Sequence, residues 1–336
     1  MNRYLITGGA GFIGSHFIDF LSNEEKNSFI VILDKLTYAG DKKRLNKFFE
    51  NPQVVFIEGD ILESNLIRNL LNKYNINRII NFAAETHVDR SIESQKEFIE
   101  TNVLGVQNLL SVSKEVWEER KLVNTSFTQI STDEVYGSTI KDSGKKFDEN
   151  CLLNPMNPYA ASKASAEFLI KAYINTFNYP ANIIRSTNNY GVNQNTEKFI
   201  PKIITSYINN QPITIYGDGM NKRCWLYVED NCRGIYLVVN DKKNQIYNIR
   251  GSYVSTNINL TKKIISILKK DYKIESKSEV IFTEDRKGHD YFYNISDEKI
   301  KNELGFSTKT TFDDGIKRVI EYYLKKEEVM NERFFL

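Results

Sequence analysis

A β-leaning run, Arg3-Tyr4-Leu5-Ile6-Thr7, leads straight into Gly8-Gly9-Ala10-Gly11-Phe12-Ile13-Gly14, and an acid, Asp34, stands twenty residues past the last glycine. The glycines fall where a strand gives way to a helix, and their spacing limits what can follow. Gly8 permits the tight turn, Gly11 lets backbone approach a pyrophosphate, and Gly14 lets the helix pack close to the sheet. The helix start then offers free N–H groups and the positive end of its dipole to phosphates. Phe29-Ile30-Val31-Ile32-Leu33 reads as the second strand. Asp34 at its end is placed to accept hydrogen bonds from an adenosine ribose, and its charge repels a 2′-phosphate, which favours NAD over NADP. A glycine turn opening some other α/β unit would not put strand, helix, second strand and acid in one register.

The alternation continues. Val54 to Glu58 reads as a strand, Asn65 to Tyr74 as a helix, Arg78 to Phe82 as a strand and Phe98 to Val116 as a long helix. Phe127 to Ser131, Tyr159 to Phe177 and Ala181 to Arg185 repeat the pattern. Strands that are apolar without alternation belong to a parallel sheet covered on both faces. The expectation is an α/β chain with a Rossmann-type doubly wound parallel sheet and a smaller C-terminal substrate-binding lobe. Residues 1–190 form the NAD-binding part, and 191–336 mainly the lobe, with some segments returning to the first domain. In the lobe, Phe199 to Asn209, Ile258 to Lys269 and Phe312 to Lys326 read as helices, and Ile213 to Tyr216 as a strand. A doubly wound sheet binds at the carboxyl ends of its strands. The polar signatures sit there: Gly8 onward, Asp34, Asp60-Ile61, Ala83 to His87 and Ser131 to Glu134.

A net charge of +2 gives no reason to expect nucleic acid or membrane as a partner. Three cysteines show no paired framework and three histidines are scattered, so no metal site is expected. The first strand begins within three residues of Met1 and no apolar stretch approaches a membrane helix, so the expected location is the cytoplasm.

Tyr159-Ala160-Ala161-Ser162-Lys163 places a phenol and an ammonium on one helix face. A tyrosine base working near neutrality needs its pKa lowered by roughly three units, about 4 kcal/mol. A neighbouring ammonium and a positively charged nicotinamide both act in that direction. The spacing is not specific, since Tyr38-Ala39-Gly40-Asp41-Lys42 matches it too. Tyr159 is favoured because it follows a Pro-x-x-Pro lead-in and a strand ending in Ser131-Thr132-Asp133-Glu134. That tetrapeptide is also a helix-capping pattern, Ser or Thr with Glu three residues on.

Here the chain resembles the extended short-chain dehydrogenase/reductases, and within them the dTDP-glucose 4,6-dehydratases. The matching segments are residues 7–14, Asp34 to Gly40, Ala83 to Ile92, Ser131 to Gly137, Tyr159 to Ala164, Asn188 to Gly191, Glu197 to Pro201, Trp225 to Asp230 and Gly288 to Asp290. The resemblance implies a nucleotide-sugar substrate and a closed redox cycle with bound NAD. Tyr159, with Lys163, would take the sugar 4-hydroxyl proton, with Thr132 on the same oxygen. Glu134 would abstract the proton on carbon 5, and a protonated Asp133 would donate to the departing 6-hydroxyl. It further implies that Gly8, Gly11, Phe12, Ile13, Gly14, Asp34, Lys35, Thr37, Asp60, Ile61, Ala83, Ala84, Thr101, Tyr159, Lys163 and Asn189 line the cofactor. His87, Thr132, Asn188, Lys198, Phe199, Tyr216, Arg223, Asn248, Arg286 and His289 would hold the nucleotide sugar. Arg223 and Arg286 are the diphosphate partners. Family members commonly pair as homodimers, and the helices Phe98 to Val116 and Tyr159 to Phe177 are the candidate interface.

Three departures fall in the C-terminal lobe. Val192 to Thr196 replaces a Pro-Tyr-Gln-Phe-Pro run, Cys224 stands where Asp is usual, and Lys287 where Pro is usual. A UDP-linked glucose or N-acetylglucosamine is therefore the rival substrate, since one methyl is worth only about 1–3 kcal/mol of discrimination. A sugar-nucleotide 4-epimerase needs only the hydroxyl, Tyr and Lys set, so Asp133 and Glu134 argue against it. An NAD-holding protein on a retired enzyme fold is the remaining reading.

Overall fold

A computed structural model describes residues 1–139, 144–241 and 244–332. Its centre is a seven-stranded, all-parallel sheet built from β1 (Arg3–Thr7), β2 (Phe29–Asp34), β3 (Val54–Glu58), β4 (Arg78–Asn81), β5 (Ser126–Thr132), β6 (Ala181–Ser186) and, after β7 (Asn188–Tyr190), β8 (Ile213–Tyr216) and β9 (Lys222–Tyr227), β10 (Ile246–Ile249). The strand order is β10-β6-β5-β4-β1-β2-β3. The winding reverses between β1 and β4, the crevice where doubly wound sheets bind ligands.

Both faces of the sheet are apolar because successive side chains serve different cores. Tyr4, Ile6, Ile30, Ile32 and Ile184 face one way, onto Phe17, Ile18 and Leu21 of α1 (Phe12–Glu24) and onto Ile235 and Val238. Leu5, Val31, Leu33, Ile79 and Ile183 face the other, onto Ile67 and Leu71 of α2 (Ser64–Tyr74) and onto Leu109 and Ile170. That two-sided burial is why the strands carry no polar alternation.

Beyond α3 (Val88–Glu93) and α4 (Lys96–Ile99), the helix read from Phe98 to Val116 contains a π-helical turn, Glu100–Leu104, before α5 (Gly105–Glu119). A Cβ on Gly105 would lie 2.4 Å from the Ile61 side chain. The helix thus runs close to the β3–α2 loop there, and the wider turn changes the direction of Thr101 and Asn102. The helix α6 (Pro158–Phe177) begins at the expected Pro.

The C-terminal part packs α7 (Phe199–Ile208), α9 (Asn257–Lys270) and α11 (Phe312–Glu332) around Ile203, Ile204, Leu260, Ile264, Ile316 and Ile320. Between α7 and α9 lies α8 (Val228–Val239), which packs under the main sheet, and α10 (Glu298–Leu304) precedes α11. Two small sheets, β11-β9-β7 with β11 (Tyr253–Thr256) and β12-β8 with β12 (Val280–Thr283), complete it. Among the described residues no helix is long and apolar enough to cross a membrane.

Candidate active site

The glycine turn closes against the neighbouring strand. Gly8 adopts φ +67°, and a Cβ there would sit 2.5 Å from the Ala83 nitrogen. On Gly14 it would sit 2.4 Å from the Gly8 carbonyl oxygen. Gly11 caps α1 without any side-chain bond, so the first-turn N–H groups, at Phe12 and Ile13, have no side-chain acceptor. Around this turn a cleft of about 580 Å³ is lined by Gly8, Gly11, Asp34, Lys35, Thr37, Asp60, Ile61, Ala83, Ala84 and Thr101, together with Ala39, Gly40 and Glu85. Asp34 accepts from the Ala10 and Leu36 N–H groups at 2.8 Å each, so it already shapes the turn it was expected to serve. Burial pushes its carboxyl above the ordinary range, with those N–H groups and Arg44 opposing. Lys35 pairs with Asp60 at 2.6 Å across the far end.

At the end of β5, Thr132 Oγ1 accepts from the Glu134 N–H at 3.3 Å, capping a one-turn 3-10 helix, Asp133–Tyr136. A cap is therefore present, made by Thr132 and not as a Ser131–Glu134 box, since Ser131 donates to Glu167 instead, and this cap places the two acids. Asp133 is buried, and its Oδ2 has no partner among the described residues. Burial first, then the Glu134 carboxylate, pushes its carboxyl well above the usual range. Glu134 is half-buried, and its Oε2 accepts from Asn157 Nδ2 at 3.1 Å and from the Tyr293 hydroxyl at 3.3 Å. Two consecutive carboxyls thus occupy opposed environments.

Tyr159 and Lys163 lie buried on α6. The Lys163 ammonium donates to the Ile130 carbonyl at 2.6 Å. Burial, with Glu134 and Asp133 adding, raises the Tyr159 phenol above its ordinary value, and only the bond to Thr132 opposes this. Burial also lowers Lys163 to about 8 against the opposing pull of Glu167. Burial and the two acids therefore work against a phenolate.

The substrate candidates gather on the other side of this pair, with one exception. His87 caps α3 through Nδ1 and lies 4.0 Å from Glu197, which pairs with Lys198 at 3.5 Å. Phe199 stacks on Trp225. Arg286 holds Asp89 through Nε at 2.5 Å and Nη2 at 3.0 Å, and lies over the Tyr216 ring. His289 bonds Asp285 at 2.6 Å. Arg223 is buried, stacks 4.7 Å over Tyr293 and uses Nη1 on the carbonyls of Lys222, Asp290 and Tyr291. Asn188 and Asn189 each keep a buried Oδ1 without a partner among the described residues. Asn248 is the exception: it is wholly buried, accepts from the Tyr136 hydroxyl and donates to the Phe147 carbonyl, so its side chain is committed inside the fold.

The three departures sit as follows. Arg44 binds the Asn193 carbonyl at 3.0 Å and Asn195 Oδ1 at 2.5 Å, while Tyr322 donates to Asn193 Oδ1 at 2.6 Å. Residues 192–195 therefore fasten the β2–β3 connection to α11. Cys224 is buried and donates to the Gly251 carbonyl at 2.9 Å. Lys287 is exposed.

Several partners escaped the sequence reading. Asn157 caps α6 through the Ala160 N–H and also holds Glu134, a double role that only its position before Pro158 hints at. Tyr293 joins Glu134 to Asp290. Asn102, in the π-helical turn, donates to Ser162 on α6 and exchanges bonds with Glu85, with no local sequence signal.

Comparison with known proteins agrees with this geometry. The GDP-mannose 4,6 dehydratase family model matches residues 5–319. The dTDP-glucose 4,6-dehydratase of Haemophilus influenzae is 39% identical, over 96% of this chain and 98% of its own. The low-salt glycan biosynthesis protein Agl12 of Haloferax volcanii is 41% identical, over 96% and 99%. The dTDP-glucose 4,6-dehydratase of Streptomyces venezuelae, solved with NAD bound, superposes with a TM-score of 0.87 at 37% identity, covering 96% of this chain and 97% of that one. By sequence and by fold, this chain belongs to the GDP-mannose 4,6-dehydratase family and stands within it among the dTDP-glucose 4,6-dehydratases.

Proposed function

We propose that the protein is a dTDP-glucose 4,6-dehydratase that converts its substrate to the 4-keto-6-deoxy sugar nucleotide with NAD held throughout. The observation that carries this reading is the acid pair: a wholly buried Asp133 that favours its protonated form, beside a half-buried Glu134 held by two donors. Elimination of water needs one group to take a proton and another to give one, and the environments separate those roles. A 4-epimerase would have no use for the pair.

The chain's own groups fit the cofactor. The Gly8 and Gly14 turn leaves no room for side chains, Gly11 leaves α1 uncapped for a diphosphate, and the Asn189 Oδ1 is an orphaned buried acceptor. Bound NAD would supply hydride acceptance from carbon 4 and hydride return to carbon 6, and its positive ring, with the Lys163 ammonium, would favour the phenolate of Tyr159. The residues hold and move the protons. Tyr159 accepts the 4-hydroxyl proton while Thr132 bonds the same oxygen. Glu134 takes the proton that the new ketone acidifies on carbon 5, and Asp133 gives its proton to the 6-hydroxyl as water departs. Glu134 then returns its proton to carbon 5, and the proton taken by Tyr159 makes up, through solvent, for the one Asp133 gave, so the sum is loss of one water. His87, Lys198, Arg286 and His289 bind the nucleotide sugar, and the protein works in the cytoplasm. Two copies pair through α5 and α6, a reading supported by the exposed Leu104 and Phe168 beside and on those helices.

Incubation with dTDP-glucose, UDP-glucose and UDP-N-acetylglucosamine in parallel, without added cofactor, tests this. Mass spectrometry should find water lost from dTDP-glucose. Loss from a UDP sugar alone would transfer the assignment to that donor. An isomer of unchanged mass would make the enzyme an epimerase and remove the roles given to Asp133 and Glu134.

A further inference from the structure

We propose that Tyr38 is a clasp that retains NAD in its cleft and ties release of the cofactor to occupancy of the nucleotide-sugar site. The inference rests on the NAD reading above. Tyr38 belongs to the second Tyr-x-x-x-Lys pattern of the chain, which the catalytic chemistry does not use. Its Lys42 takes no part, lying over the Phe49 and Phe56 rings instead.

The placement of Tyr38 suits a clasp. Its neighbours Thr37 and Ala39 form one wall of the cofactor cleft, and Ala83, Ala84 and Glu85 form the opposite wall. Arg90, five residues beyond Glu85 on α3, lays its guanidinium 3.6 Å from the centre of the Tyr38 ring. The stack therefore joins the two walls. Tyr38 is 40% exposed, so this contact sits at the mouth and not in the core. A planar guanidinium on an aromatic face keeps part of its attraction even in contact with water.

A second link runs toward the substrate. Burial, and after it the nearby Glu197 carboxylate, pushes the Tyr38 phenol up to about 12, and Glu197 also faces His87 and Lys198. The same short helix α3 is tied to the lobe by Asp89, which binds Arg286 and Tyr216. The Tyr38 ring thus joins the cofactor loop to α3, and α3 in turn is joined to residues expected to hold the nucleotide sugar. A cycle that removes a hydride and returns it to the same molecule requires the cofactor to outstay the substrate. A clasp that tightens while the sugar nucleotide is bound meets that need.

The test loads the protein with labelled NAD and chases it with excess unlabelled NAD, with and without dTDP. Tyr38→Ala, which removes ring and hydroxyl, should release NAD about two- to fivefold faster than wild type, the range of an exposed cation–π contact. Tyr38→Phe keeps the ring and should release NAD at the wild-type rate in the absence of dTDP. Addition of dTDP should slow release from wild type and Tyr38→Phe and leave Tyr38→Ala unchanged, because only Tyr38→Ala loses the ring's contact with α3. Circular dichroism should show both variants folded, as expected for a half-exposed side chain. If wild type binds NAD but Tyr38→Ala releases it equally slowly, the clasp is refuted and the NAD reading stands. If dTDP slows all three alike, the coupling to the sugar site is refuted. If wild type holds no NAD, both readings fall.

Discussion

Glu167 and Arg185 form an ion pair that is wholly shut off from water beneath the active site. Arg185, near the end of β6, donates Nε to both carboxylate oxygens at 3.1 Å and Nη2 to Oε2 at 2.5 Å. Ser131 donates to Oε1 at 2.6 Å, and Arg185 also reaches the Tyr136 hydroxyl. Removing only one charge leaves the other buried without compensation, at a cost of about 3–5 kcal/mol. Glu167→Gln keeps the shape and some hydrogen bonding, so about 3 kcal/mol is the expected loss, with Ser131 contributing about 1 kcal/mol of it. The double variant Glu167→Met/Arg185→Met removes both charges and keeps the volume nearly filled. Ser131 and Tyr136 lose a partner each, although Tyr136 retains Asn248, so a loss of about 1–2 kcal/mol remains. The double variant should therefore be more stable than Glu167→Gln alone. Urea denaturation at neutral pH, with Arg185→Met completing the cycle, measures the three changes. A Glu167→Gln variant within about 1 kcal/mol of wild type would refute the argument, as would a double variant weaker than the single.

Other outcomes follow from the site. Tyr159→Phe should leave the sugar unreacted, whereas Asp133→Asn should oxidise carbon 4 and then stall, so quenched samples of Asp133→Asn alone should contain the oxidised, still hydrated sugar. Asn157→Asp retains the cap on Ala160 but sets a second carboxylate beside Glu134. Stability should change by less than about 1 kcal/mol while the acid limb of the kcat–pH profile moves up by about one unit. Lys163, lowered to about 8 by burial, holds its proton less tightly folded than unfolded. Its cost to the folded state is full below about pH 8 and relieved as pH rises toward the unfolded value of about 10.4. Lys163→Met should remove that rise in denaturation experiments across the same window, and should also lower activity.

The sheet was legible because burial on both faces leaves a plain mark: runs such as Phe29 to Leu33 have no polar residue to confuse with a helix face. The lobe was less so. β7 is Asn188–Tyr190, three residues with two asparagines, and it is a strand only because Trp225 to Tyr227 run beside it. Nothing local announces such a pairing. Arg185 was read correctly as strand, yet its partner Glu167 lies on another element, and no periodicity connects them. Asn248 shows the opposite failure, in which the motif position suggests substrate and the fold buries the side chain whole.

Capping and the placing of two acids for the proposed chemistry, treated as rival readings of Ser131 to Glu134, are compatible with one arrangement. A Thr at the strand end caps the next turn, and the cap starts a 3-10 helix at Asp133. Each residue of such a helix is turned by about 120° from the one before. Two adjacent carboxyls on it cannot face the same surroundings. Asp133 is carried inward, where burial keeps its proton on, and Glu134 outward to Asn157 and Tyr293. On a strand the pair would point to opposite faces of the sheet, and one acid would be lost to the core on the far side. On an α-helix they would lie about 100° apart but would need a longer, capped segment at the crevice. The single tight turn is the shortest backbone that can keep both acids at one strand end and still give them different chemistry.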